Sequence, residues 1–170
     1  MVAERLWAIT YRTTAVVLPE RAVSNTSWSV NLHGDDPDAD HIVALWLNST
    51  LGLLAFITAA EETRGPWIAL KKNSLKQLPV LDPEQLGEGA REILRQAWQD
   101  LHVSELQPVS KLAEDPVRQH IDHAICGALG LPEDPIVALR ELLGSEPRFA
   151  QVQPKRRMLE QLSDVQQPLF

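Results

Sequence analysis

Arg64, Trp67, Lys71, Lys72, Asn73, Ser74 and Lys76 fall within one stretch that contains no acid. Around a strand and a turn, residues of these types present Lys and Arg to phosphates, and Asn and Ser to phosphates or base edges. They equally suit a solvated edge strand whose lysines deter edge-to-edge pairing while Trp67 enters the core. A sparser set, Arg12, Arg21, Asn25 and Trp28, precedes them. Surface arginines, a core Trp28 and a turn at Ser24-Asn25 account for that set equally well. His120, His123 and Cys126 recur at i, i+3 and i+6, which puts three metal-ligating types on one helix face. A structural zinc site usually takes four ligands and this face also carries Val117, so Cys126 reads as a small core residue and no metal site is expected.

The catalytic inventory is otherwise empty. There is no Gly-rich phosphate loop, no nucleophile elbow, no paired cysteines and no acid pair at a telling spacing. The expectation is a chain that is not an enzyme on its own and uses no cofactor.

Composition limits the partners. The 170 residues are 44% hydrophobic and 23% charged, enough for one domain with a core, or one domain with an appended helical piece. A formal net charge of −7 argues against a protein that wraps nucleic acid, whose affinity would come from Lys and Arg. The acidity is unevenly spread, however. From Asp82 to Ala150 thirteen acids stand against six bases, whereas residues 1–81 are close to balanced and can still face a polyanion. A single cysteine fits a reducing cytosol, and Met1-Val-Ala-Glu-Arg lacks the features of an export signal, so a cytoplasmic protein is expected.

The elements that must position these residues read as follows. Leu6–Tyr11, Thr14–Leu18 and Ser27–Leu32 have strand composition or alternation, and Pro19 ends the second. Gly34–Asp40 is a turn whose aspartates suit a following helix amino terminus. Ile42–Ala60 is apolar and uncharged, just long enough to span a bilayer. Its polar Asn48-Ser49-Thr50 centre and acidic flanks favour one buried helix, over 41–60, and no membrane contact. Gly65-Pro66 breaks the chain, Trp67–Leu70 reads as a short strand and Lys71–Ser74 as a polar turn. Beyond Pro83 the spacing is helical to Leu101. Asp115-Pro116 then caps a helix that ends at Gly130, and Pro135–Leu143 forms another that stops at Gly144. The organisation expected is α+β: a small irregular strand-rich region around one buried helix (1–81), an acidic helical region (82–150), and a basic-start helix with a loose tail (151–170).

Leu45-Trp-Leu-Asn-Ser-Thr-Leu-Gly-Leu53, followed by Arg64-Gly65, Lys71-Lys72 and Leu75-Lys-Gln-Leu-Pro-Val80, resembles the target-recognition region of N6-adenine DNA methyltransferases of restriction-modification systems. Val17-Leu18-Pro19-Glu-Arg21 with Ser24-Asn25 is similar to the entry of such regions. Asp115-Pro-Val-Arg118, Ile121-Asp122 and Gly130-Leu-Pro132 are similar to the helical carboxy-terminal end of the same proteins. The resemblance covers residues 5–150. Neither the glycine-rich AdoMet loop nor the (Asn/Asp)-Pro-Pro-(Tyr/Phe) motif of the family occurs, so the chain resembles only the part that follows the catalytic domain.

The resemblance implies a non-catalytic DNA target-recognition fragment acting on double-stranded DNA together with a catalytic methyltransferase domain or subunit. Methylation of a base nitrogen requires the adenine to leave the duplex while another region grips the backbone. Arg64, Lys71, Lys72 and Lys76 would grip phosphates, Asn73 or Ser74 would meet bases beside Trp67, and Arg12, Arg21 and Asn25 would add contacts. Asn48 is expected to bond backbone beside its helix, because an unpaired buried amide costs ~1–3 kcal/mol. The alternative is an acidic interaction module that docks a partner subunit without touching DNA.

Overall fold

A computed structural model describes residues 1–6, 12–20, 22–32, 34, 36–62 and 68–146. Strand β1 (Val2–Ala3) pairs antiparallel with β3 (Ser27–Trp28), and Val2 also bridges to Ala15 on its other side. Strand β2 (Arg5–Leu6) and β4 (Glu61–Glu62) flank β5 (Ile68–Ala69) in a second antiparallel sheet. Helices α1 (Ala39–Asn48), α2 (Thr50–Ala59), α3 (Lys72–Leu75), α4 (Glu88–Leu101), α5 (Pro116–Leu129) and α6 (Asp134–Ser145) supply the rest, with 3-10 turns at Pro83–Gln85 and Val109–Glu114. The fold is α+β.

The apolar run Ile42–Ala60 is not one helix. It divides at Ser49 into α1 and α2, which meet at a bend of 76°. Among the described residues no helix is long and apolar enough to cross a membrane. The break lies in the Asn48-Ser49-Thr50 notch and has a local cause. Ser49 takes an extended ψ of 167°, and its Oγ accepts the Gly52 amide at 3.1 Å, capping α2, while donating to the Trp46 carbonyl at 2.6 Å. Gly52 is required by the close approach: a Cβ there would overlap the Trp46 carbonyl oxygen and lie 2.7 Å from Leu47 Cα.

The bend lets the run line two cores. Val43 and Leu47 of α1, with Leu53 and Phe56 of α2, pack against Val2, Leu6 and Leu70 and against Leu112 and Leu143 from the second half. Ile42 and Leu45 pack instead with Leu94, Ile121 and Ile125. A helix buried on two sides has no place for charge, which explains the uncharged run. Complete burial of side chains such as Leu53, Phe56 and Leu70 stabilises by ~1.5–3 kcal/mol each.

Other boundaries also moved. Of the stretches with strand character, Thr14–Leu18 contributes only the bridge at Ala15, and Ser27–Leu32 only Ser27–Trp28. Lys71–Ser74 is largely helix α3, because the Leu75 amide reaches the Lys71 carbonyl at 2.9 Å and closes a helical turn. Gly144 lies inside α6, where its missing side chain makes room for Ala113, whose Cβ would sit 3.2 Å from a Cβ at this position. Asp115 caps α5 through the Val117 and Arg118 amides, and Gly130 ends it at φ +63°, as their residue types require. Residues 7–11 of the first expected strand, Trp67 of the fourth, and the basic-start helix at 151–170 lie outside the described residues.

Candidate nucleic-acid interface

Helix α3 is short but firmly anchored. In front of it Leu70 is fully buried, its carbonyl accepts the Trp28 indole N–H at 2.8 Å, and its amide reaches the Glu4 carbonyl at 2.8 Å. Behind it the Pro79 carbonyl accepts the Trp46 indole N–H at 3.0 Å, and Leu78 is buried. Leu75 leans on the first core. Two tryptophans thus fix the two ends of a turn whose remaining side chains face water: Lys71, Lys72, Asn73 and Lys76 are exposed and Ser74 is half-buried.

The charges of this turn differ in their commitments. Lys71 Nζ lies 2.6 Å from the Glu61 carboxylate of β4. Lys72 and Lys76 make no ion pair among the described residues, and as i and i+4 they stand on the same side of the turn. Both border an open groove of about 800 Å³ whose walls are mostly apolar, formed by Val16, Leu18, Trp28 and Val30 among others. Aliphatic stems can lie along such a wall while the ammonium groups stay in water.

The other expected contacts are not gathered here. Arg12 is exposed but ion-paired with Glu105, beyond α4, and its carbonyl accepts Arg118 Nη2 at 2.9 Å. Asn25 is exposed in the turn before β3, beside a Ser24 hydroxyl that accepts the Thr26 amide at 3.1 Å. Arg21, Arg64 and Trp67 lie outside the described residues. On α5, His120 and His123 are exposed while Cys126 is 2% exposed, so the three do not converge; His123 Nδ1 instead meets the Glu133 carboxylate at 2.6 Å. Burial raises the Cys126 thiol above its ordinary range, with Asp122 adding to the shift.

A second polar assembly, which composition gave little reason to expect, lies inside the molecule. Asn48 Oδ1 accepts the Thr14 amide at 2.8 Å, and its Nδ2 donates to the Ala15 carbonyl at 2.7 Å and the Ala44 carbonyl at 3.0 Å. The backbone tie expected of Asn48 is therefore present. Arg118, 1% exposed, donates to the Asn48 carbonyl and stands 3.8 Å from Asp115. Burial lowers the Arg118 guanidinium from its ordinary value, and the Asp115 and Asp122 carboxylates oppose the shift. Asp122 accepts from Thr50 and from Arg140 Nη1, the latter at 2.8 Å. The assembly ties the α1–α2 corner to α5 and α6. Its one legible signal was the polar notch itself.

Compared with protein-family models, with curated proteins and with solved structures, the chain finds no match.

Proposed function

We propose that this chain is a non-catalytic DNA target-recognition fragment that acts beside a catalytic methyltransferase domain or subunit. The observation that carries the reading is the α3 turn: Lys72 and Lys76 stand exposed on one side, without an acidic partner among the described residues, with Asn73 exposed between them. Two lysines at this spacing can follow successive phosphates, and a neighbouring amide can reach phosphate or base. Lys71 joins them only by leaving Glu61. Few cations and a net charge of −7 mean weak binding by the chain alone, which suits a role beside a partner that supplies the rest of the grip.

Fluorescence anisotropy of a labelled duplex at low salt tests this. The full chain should bind, and Lys72→Ala/Lys76→Ala should weaken binding on every duplex sequence alike. No binding at any protein concentration, or binding untouched by the double variant, would remove the DNA claim.

A second reading, docking of a protein partner without DNA, is favoured by one observation. Five of the ten large hydrophobic residues exposed among the described residues, Val16, Leu18, Val23, Val30 and Val80, line the groove beside α3. The two readings separate cleanly, since only the first depends on the lysines.

A further inference from the structure

Lys71 and Glu61 meet on the outer face of the second sheet. Arg5, Ala69 and Glu61 stand opposite one another across β2, β5 and β4, and Leu6 and Ile68 do so one position on. Leu6 is fully buried and Ile68 packs on the first core, so alternation turns the row of Arg5, Ala69 and Glu61 to solvent. The side chains of Lys71 and Glu61 are 66% and 54% exposed, and their charged ends lie 2.6 Å apart.

The roots of these two side chains are fixed and their ends are not. Leu70, fully buried and bonded through its amide to the Glu4 carbonyl, sets the Lys71 backbone at the start of α3. Pairing with Ala69 sets the backbone of Glu61. The Lys71 side chain makes no capping bond to α3, and the Glu61 side chain stands away from the core. Opening the pair therefore asks only for side-chain rotation. An exposed pair of this kind is favoured by no more than roughly fivefold over its separated charges. A phosphate offers the same ammonium an equivalent charge-assisted bond, beside the exposed cations Lys72 and Lys76.

We infer that Glu61 is a built-in competitor for the DNA phosphate, which holds Lys71 back and so sets the affinity of the α3 turn. The inference rests on the DNA reading above and adds to it the regulation of the same site. Lys72 and Lys76 meet phosphate freely, whereas Lys71 is a third cation that engages only as its carboxylate lets go. Both of its bonds are ionic and both are weakened by salt, so the exchange between them is small in free energy and is read as a change in affinity of a few fold. Because neither side chain supports the core, the competitor can be removed without disturbing the sheet.

The test is duplex binding across salt by the full chain, Glu61→Gln, Lys71→Ala and the double variant, with equal melting temperatures as the check on folding. Glu61→Gln should tighten binding by about two- to fivefold at low salt. Lys71→Ala should flatten the salt slope by about one unit in the Glu61→Gln background, and by clearly less where Glu61 is present. That inequality separates competition from the plain removal of a repelling charge, for which the two effects would add independently. An equal effect of Lys71→Ala in both backgrounds, in a chain whose binding still depends on Lys72 and Lys76, would overturn the competitor and leave the DNA reading standing. Duplex binding by Glu61→Gln alone would support the competitor. No binding by either the unaltered chain or Glu61→Gln would overturn both.

Discussion

The Asp122 carboxylate of α5 accepts both the backbone amide of Thr50, at 2.7 Å, and its hydroxyl, at 2.6 Å, across 72 residues of chain. Thr50 is the first residue of α2, so the carboxylate sits at a helix amino terminus, where negative charge is favoured. Arg140 closes the other side of the same carboxylate.

Removing one member of a buried ion pair strands the other. Asp122→Ala should cost about 3–5 kcal/mol, whereas Asp122→Leu with Arg140→Met should recover much of that loss. Urea unfolding at constant m-value measures both. A loss below about 1 kcal/mol for the single variant would mean the pair does not hold the corner.

Gly52→Ala places a methyl group against the Trp46 carbonyl and Leu47 Cα, both of them backbone that cannot swing aside. The cost should match overpacking, about 1–3 kcal/mol or more, although alanine favours helices elsewhere. Gly89→Ala, on α4 with open space around the position, should be neutral or stabilising. Thermal unfolding of the two variants side by side distinguishes them.

These two sites show where the sequence could be read and where it could not. Asp115, Pro116 and Gly130 marked a helix because capping and left-handed geometry depend on residue type at a single position. The Ile42–Ala60 run reads as one helix because an unbroken apolar stretch does not register a bend; the bend depends on what Ser49 bonds and on a contact only Gly52 permits. Nothing local in the sequence marks Arg118, Asp122 and Arg140 as a buried set, since pairing across the chain leaves no local pattern. The α3 lysines were legible as a cluster. The commitment of Lys71 to Glu61, which Lys72 and Lys76 do not share among the described residues, was not, because it depends on how β4 and β5 align.

The turn ahead of α1 is clamped to α4. Arg91 Nη2 meets Asp36 at 2.6 Å, and Arg95 Nη2 meets Asp38 at 3.0 Å. The Arg91 hydrogen bond, with help from the Asp38 amide, holds the Asp36 carboxyl below its ordinary value of 3.8. A depressed acid contributes stability that is fully present above its unfolded value and is lost as the pH falls through the folded one. Asp36→Asn should therefore lower the melting temperature at pH 7, and the difference should shrink as pH drops below 3.8. A difference that is constant from pH 7 to 3 would contradict the pairing.

Cys126 is buried and its thiol is raised, so it should be unreactive in the folded chain. A chromogenic disulfide reagent should label it slowly in buffer and quickly in denaturant. Fast labelling of the native chain would mean that the packing around Cys126 on α5 opens readily.

Contact between the α3 turn and DNA is tested most directly by the salt dependence of duplex affinity. Each phosphate contact made by a lysine contributes close to one unit to the slope of log K against log salt concentration. Lys72→Ala and Lys76→Ala should each flatten that slope by about one unit. Lys111→Ala, an exposed lysine far along the chain, should leave it unchanged. The same slope for all four proteins, or no duplex binding by the unaltered chain at low salt, would contradict it.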